Sequence, residues 1–280
     1  ITVNQGIFDF FNQIKFLQGS YIEYFFPEIE SYIPESTKES LKNEVKELNE
    51  NSVEQFNEKR KNGENDSYIC SLIRNDQVID FITYLEKNNI SSSSFIHKSI
   101  FETNHFLLKR NRQISLIEYS AYFGAQQIFL YLYKQDIELN SKIWEFAIHG
   151  KNGELIHFLE ENHIPTFNDS YQYLIIEAIK CHHNEISDYF LLNFCQFEKI
   201  YENYLLQKHL KYYNFNFKFT TKSNHLFYLF CKYDYDFVAD HFLSIDTIDI
   251  NQQYKLYSPP LYQKDIVLSI AIKNGDFNKI

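Results

Sequence analysis

Apolar residues recur at helical spacing along most of this chain. Near its start Phe8, Phe11, Ile14 and Leu17 fall three apart, on one side of a helix, and Tyr21, Tyr24, Phe25 and Ile29 continue the stripe until Pro34 breaks it. Ser36, followed three positions later by Glu39, predicts a capping box that opens a second helix. The stretch 38–61 is rich in charge and sparsely apolar (Leu41, Val45, Leu48, Val53, Phe56), which predicts exposed helix. Residues 61–67 hold turn formers and no apolar side chain. They predict a loop and a domain boundary, with a helical leader region over 1–64 and a second domain over 65–280.

From residue 68 onward the chain becomes self-similar. Three amphipathic stretches, 78–85, 128–133 and 155–159, end alike, in Asn88-Asn89-Ile90, Gln135-Asp136-Ile137 and Asn162-His163-Ile164. Asn89, Asp136 and His163 stand where a helix commonly ends in a left-handed residue, a conformation these types tolerate better than most after Gly. The Ile that follows can then fold back on the helix just ended. Small residues are scarce, with six Ala in the chain, yet Ala121, Ala147 and Ala178 each lie three residues before Gly124, Gly150 and Cys181, and Ala271 lies four before Gly275. That placement predicts close helix–helix approach, followed by a tight turn at Gly124, Gly150 and Cys181.

The run Ser115-Leu116-Ile117-Glu118-Tyr119-Ser120-Ala121-Tyr122-Phe123-Gly124 resembles the first half of an ankyrin repeat, T-P-L-H-x-A-A-x-x-G, and residues 125–140 resemble its second half. Residues 230–251 look like a further repeat and 266–280 like the opening of another. More closely, the chain resembles the large protozoan family of divergent ankyrin proteins that carry a domain of unknown function, through Ser71-Leu72-Ile73-Arg74-Asn75-Asp76, Ser99-Ile100-Phe101-Glu102-Thr103-Asn104, Ala147-Ile148-His149-Gly150-Lys151-Asn152 and Lys180-Cys181-His182-His183-Asn184. The resemblance covers roughly 65–280 and implies an all-α, ankyrin-type helical repeat solenoid that binds proteins and catalyses nothing. The chain departs from the repeat consensus in several places. Gly124 and Gly150 are 26 residues apart and Ala147 and Ala178 are 31, against a period of about 33. Glu118 replaces the His of the consensus and Leu116 its Pro, and no repeat is visible between 191 and 226.

Composition narrows the function classes. Gly is 7 and Pro 5 in 280 residues, which favours helices over a turn-rich β sandwich and leaves little for a phosphate-cradling loop. The net charge of −10 disfavours nucleic acid as a partner. The cysteines Cys70, Cys181, Cys195 and Cys231 are scattered and read as free thiols of an intracellular, cytoplasmic protein. No stretch of about 18 uncharged apolar residues predicts a membrane span. A chain that opens on Ile1 and holds no Met is expected to be part of a longer protein.

Candidate chemistry is sparse. Cys181-His182-His183 is the densest metal-like cluster, and a stacked array could bring His149, His157 and His163 near it, but neighbours on a helix point about 100° apart and the closed four-ligand spacing of zinc is missing. No G-x-S-x-G, P-loop or G-x-G-x-x-G occurs, so no catalytic, cofactor-binding or metal-binding residue is assigned. The segment 208–222 interleaves Lys208, His209, Lys211, Lys218 and Lys222 with Tyr212, Tyr213, Phe215, Phe217 and Phe219. Its period of two from Asn214 to Phe219 predicts an extended stretch whose Phe side packs on helices while the polar side is solvated. Single-stranded nucleic acid is the alternative ligand such a pattern could take. The acidic run 39–64 reads as a solvated helical face. These features together point to a non-catalytic protein-interaction scaffold, with a nucleic-acid factor or a pure spacer in a longer protein as the alternatives.

Overall fold

The computed structural model of the chain describes residues 24–32, 53–108, 113–195, 199–217, 223–245, 254–258 and 261–265. The stripe at 8–17, the capping box at Ser36 and the repeat opening at 266–280 lie outside them. Contacts divide the chain into two compact units, Ile1–Glu138 and Leu139–Ile280.

In the first unit a helical turn, α1 (Phe26–Ile29), precedes α2 (Val53–Asn62), and two helix hairpins follow: α3 (Tyr68–Arg74) with α4 (Val78–Lys87), and α5 (Leu116–Tyr122) with α6 (Gln126–Tyr133). α3 packs on α5 and α4 on α6, so the hairpins stack with like helices adjacent. The second unit repeats the pattern with α7 (Ile143–Gly150) and α8 (Gly153–Glu161), α9 (Gln172–Lys180) and α10 (Asn184–Phe194), a lone α11 (Lys199–Lys211), and α12 (Ser223–Lys232) with α13 (Asp236–Ile245). α7, α9 and α11 pack in succession. Strand pairing among the described residues consists of an isolated bridge between Phe95 and Ser115 and one hairpin. Tyr254–Ser258 (β1) pairs antiparallel with Leu261–Asp265 (β2), Tyr257 opposite Tyr262. The Pro259-Pro260 dipeptide between these strands looks like a breaker in the sequence, and the flanking runs are too short for a periodic signal.

What ends most of these helices is the same device, although α10 runs out into extended backbone at Cys195. Asp76, Asn89, Gly124, Asp136, Lys151, His163, His182, Tyr213 and Asp234 all sit at φ between 48° and 66°. At Asp76, Asn89, Gly124, His163, His182 and Tyr213 the full Schellman pair forms. The left-handed residue donates its N–H to the carbonyl three back, and the next residue donates to the carbonyl five before it, as in Asp76 N to Ile73 O at 2.9 Å and Gln77 N to Leu72 O at 3.0 Å. These bonds satisfy carbonyls that a helix end otherwise leaves bare.

The left-handed ends expected at Asn89, Asp136 and His163 are present, as is the turn at Gly124. The turns expected at Gly150 and Cys181 are each one residue early. Gly150 is still helical, and Lys151 and His182 take the positive φ. Superposing the turns therefore puts Ser120, not Ala121, in line with Ala147 and Ala178, four residues before the left-handed one. All three are fully buried, and the Ser120 hydroxyl is absorbed by the Leu116 and Ile117 carbonyls at 2.8 and 3.0 Å. α11 belongs to the same series, ending at Tyr213. It falls in the stretch where the sequence shows no repeat because His209, buried but large, stands at the small-residue position.

Polar groups tie one hairpin to the next. Ala125 cannot cap α6, and the Asp76 carboxylate does so instead, accepting from Gln127 N and Ile128 N at 3.0 Å each. Glu118, which replaces the consensus His, closes a capping box with Ser115 at the start of α5. The loop 63–67 is pinned within its unit: Gly63 O accepts from Thr103 N and Oγ1, and the buried Asn65 donates from its side-chain amide to His97 O at 2.6 Å and from its backbone N–H to Glu102 Oε2 at 3.3 Å. Around it pack Phe56 and Phe101, edge to face. In the second unit Trp144 is fully buried against Tyr171 and Phe190, and its Nε1 donates to Ile164 O at 3.2 Å, where α8 ends.

Two outcomes follow for stability. Asp76→Ala should cost about 1–2 kcal/mol through the lost cap, while Asp76→Asn, which keeps an acceptor, should cost clearly less; urea unfolding of the two variants checks this. His163→Gly should stabilise by roughly 0.5–1 kcal/mol, since Gly reaches positive φ without strain, and a rise in the urea midpoint at unchanged slope would record it.

Candidate functional site

The densest group of chemically active side chains forms where α7 meets α9. His149 lies in the last turn of α7. Glu177 and Cys181 are four residues apart at the end of α9, hence one above the other on the same face. Packing of α7 on α9 sets the imidazole against both. His149 Nε2 is 3.1 Å from Glu177 Oε1 and 3.4 Å from Cys181 Sγ, and His149 Nδ1 is 3.6 Å from the same sulfur. All three donor atoms lie within 4.8 Å of one another. Lys180 Nζ closes on Glu177 Oε1 from the solvent side at 2.9 Å.

Glu177 is buried, while His149 and Cys181 are half-buried. Burial alone would raise the Glu177 pKa, but hydrogen bonds from His149 and Lys180 and the ammonium charge outweigh it and hold the carboxyl down at about 2. The ionised carboxylate can only accept, so Nε2 of His149 carries the proton in that contact. Lys180 is shifted upward, its partial burial working against this and Glu177 overcoming it. The Cys181 thiol is pushed up to about 12 by burial, then by the Glu177 charge. It is therefore a protonated, inert thiol as long as no cation joins it. Among the described residues this is the single His/Cys/carboxylate group with converging ligand atoms.

The adjacent residues of the Cys181-His182-His183 run are drawn apart. His182, at the left-handed turn, is exposed and donates from Nε2 to Tyr212 O at 3.0 Å. His183 is half-buried, its pKa lowered by burial against a hydrogen bond to the His149 backbone, with Lys151 and the His149 ring adding to the lowering. His157 forms a separate group with Glu160 and Tyr189, whose hydroxyl donates to Glu160 Oε2 at 2.7 Å. His163 lies exposed at its own turn. Glu177 is the participant that sequence reading missed, since an acid in the middle of Glu177-Ala178-Ile179-Lys180 reads as a solvated helix position. The signal available was its four-residue spacing from Cys181.

The basic and aromatic segment is arranged differently from its pattern. Lys208 lies over the Tyr204 ring at 4.9 Å, and burial lowers its pKa. His209 is buried and donates from Nδ1 to Asn214 O at 3.2 Å. Asn214 is the inward residue, with Nδ2 donating to Ile179 O at 2.9 Å and Asn184 Oδ1 at 2.8 Å, whereas Phe215 points out. Only Phe217 packs inward as expected, against the cluster around Leu206, Leu210 and Phe227. An amide that ties this turn to the α9–α10 hairpin outcompetes a phenyl ring for the interior here, because the Ile179 carbonyl and Asn184 Oδ1 offer it two acceptors. Lys218, Phe219 and Lys222 lie outside the described residues. All four cysteines are free, and no helix among the described residues is long and apolar enough to cross a membrane. Neither a family model, nor a curated protein, nor a solved structure matches the chain.

Burial lowers the His209 pKa in the folded state, so the unfolded chain takes up that proton first. Its contribution is complete above the ordinary His value of about 6.5 and is lost as pH falls below it. Stability of the native chain should therefore drop between pH 7 and 5 more steeply than that of His209→Gln, which keeps a donor but does not titrate; equal slopes in urea titrations across that range would refute the assignment.

Proposed function

We propose that this chain is a non-catalytic protein-interaction scaffold of the divergent ankyrin type. The observation that carries the reading is the recurrence of one helix hairpin, closed each time by the same left-handed turn and stacked on its neighbour through like helices. A hairpin of this length cannot bury its apolar stripe alone, and stacking supplies the core while leaving a row of turns on the surface. Such a surface varies freely at its exposed positions without disturbing the core, which suits recognition of a partner protein. The resemblance of 115–140 to an ankyrin repeat supports the same reading, and function is inferred from it by analogy of fold.

In the first unit the exposed turn residues Asn89 and Asp136 mark where contact would be made, with Glu86 and Glu138 exposed beside them, and His163 with Glu161 marks the same in the second. Nucleic acid is disfavoured, because two of the cationic positions at 208–211 are spent inside the fold and the net charge is −10. Affinity capture on the purified chain, with mass spectrometry and nucleic-acid quantification of one eluate, tests the reading. A stoichiometric protein should be retained, and its affinity should fall by about tenfold, some 1.4 kcal/mol, on Glu86→Lys with Glu138→Lys where the first unit holds it, or on Glu161→Lys where the second does, but not on Glu58→Lys. Nucleic acid without protein in the eluate would overturn it, and an empty eluate would favour a spacer.

A further inference from the structure

We propose that His149, Glu177 and Cys181 form a mononuclear zinc-binding site that bridges α7 and α9. The three side chains supply the donor types zinc prefers, an imidazole nitrogen, a carboxylate oxygen and a thiolate sulfur. Their spacing is already close to that of bound ligands. Bond lengths of about 2.0–2.1 Å to nitrogen or oxygen and 2.3 Å to sulfur, at tetrahedral angles, place neighbouring ligand atoms roughly 3.3–3.6 Å apart. The nitrogen is 3.1 Å from the oxygen and 3.4 Å from the sulfur, and all three ligand atoms lie within 4.8 Å of one another, so side-chain rotation with no movement of either helix completes the set. Two rigid helices hold the three groups, with Glu177 and Cys181 fixed on one helix face, and this removes most of the ordering cost of binding.

Charge also balances. A carboxylate and a thiolate carry two negative charges against the two positive charges of the ion, and the imidazole enters neutral. On binding, the Cys181 S–H bond breaks, its proton leaves to solvent and an S–Zn bond forms, while the imidazole binds through Nε2 with its proton moved to Nδ1. The three side chains and one retained water make up the four-coordinate shell, and the remaining waters of the hydrated ion leave to solvent. Metal coordination readily deprotonates a thiol that is inert on its own. Lys180 is the cation that Glu177 pairs with otherwise. It is on the solvent side and flexible, with its side chain 38% exposed, and the incoming ion displaces it into water. Lys180 is thus a competitor for the site, a role that a purely structural ion pair would not give it.

The full chain, reduced and stripped with a chelator, is titrated with Co²⁺ and followed by absorption, and Zn²⁺ is then added. The expected result is one Co²⁺ per chain with a thiolate-to-cobalt charge-transfer band, abolished by competing Zn²⁺. Cys181→Ser should remove the band and Cys195→Ser should keep it. His149→Ala should weaken binding by about tenfold or more, at least what loss of a mere supporting contact to a metal ligand costs. Lys180→Met should tighten binding severalfold. Circular dichroism confirms that each variant is folded, and the Ser variant, nearly isosteric, serves if His149→Ala does not fold. No charge-transfer band, a band that survives Cys181→Ser, or a Lys180→Met variant that binds no tighter would each overturn the site.

Discussion

A helix that must reverse into a partner within two or three residues has to place one residue at positive φ, and for an L-residue other than Gly that costs about 1–2 kcal/mol. The chain accepts this cost repeatedly, at Asp76, Asn89, Asp136, Lys151, His163, His182, Tyr213 and Asp234, and among the described helix ends uses Gly at Gly63 and Gly124. The cost is offset locally by two backbone hydrogen bonds per complete turn, each worth about 1 kcal/mol net, and then by the packing the turn permits. With the reversal fixed, the residue four positions earlier faces the neighbouring helix at close range, and Ser120, Ala147 and Ala178 bury completely there. The hairpins stack because the turns are tight, and the polar ties between hairpins exist because the turns are stacked. Asp76 reaches the bare end of α6, Asn214 reaches the carbonyl at the end of α9, and His182 reaches the Tyr212 carbonyl.

This hierarchy explains what the sequence made legible. Residue types tolerant of positive φ announce helix ends, so Asn89, Asp136, His163 and Gly124 were readable. Lys151 and His182 were not, because Gly150 and Cys181 beside them looked more suited to the turn. The misreading shifts the alignment by one residue and hides Ser120 behind Ala121. α11 escaped for the complementary reason, since its buried small-residue position holds His209 and its turn holds Tyr213, an aromatic residue that sequence logic does not place at φ 55°. The alternation at 214–217 misled because period-two logic ranks side chains by hydrophobicity alone. It does not count the acceptors at Ile179 O and Asn184 Oδ1, whose hydrogen bonds make an inward Asn worth more than an inward Phe.

The cluster at the α7–α9 junction was legible only in pieces. Cys181 and His149 both stood out as residue types, but they are 32 positions apart, and nothing in a periodic pattern specifies which turn of α7 faces which turn of α9. That juxtaposition is set by the small residues Ala147 and Ala178, each close in sequence to one of the pair. The scaffold that gives the chain its stacked turns is therefore the same one that brings the donor atoms together, and a repeat with a large residue at either position would keep them apart.

The energetics of Glu177 show why such a group persists. A carboxylate near the C-terminal end of a helix meets the wrong end of the helix dipole, an unfavourable term of about 0.3–1 kcal/mol, and burial adds a larger one. Against these stand hydrogen bonds from Lys180 and His149, which as charge-assisted contacts are worth about 1.5–3 kcal/mol each. The attractive terms win, as the low Glu177 pKa records. Lys180 and His149 sit in the last turns of α9 and α7, where positive charge is favoured, so each supports its own helix end as well as the carboxylate. A carboxylate whose position depends on a displaceable cation is poised toward any stronger cation of suitable geometry, whereas an apolar residue of the same volume would seal the junction and offer nothing. The junction is thus built of groups that make sense as an ion pair and make more sense as ligands.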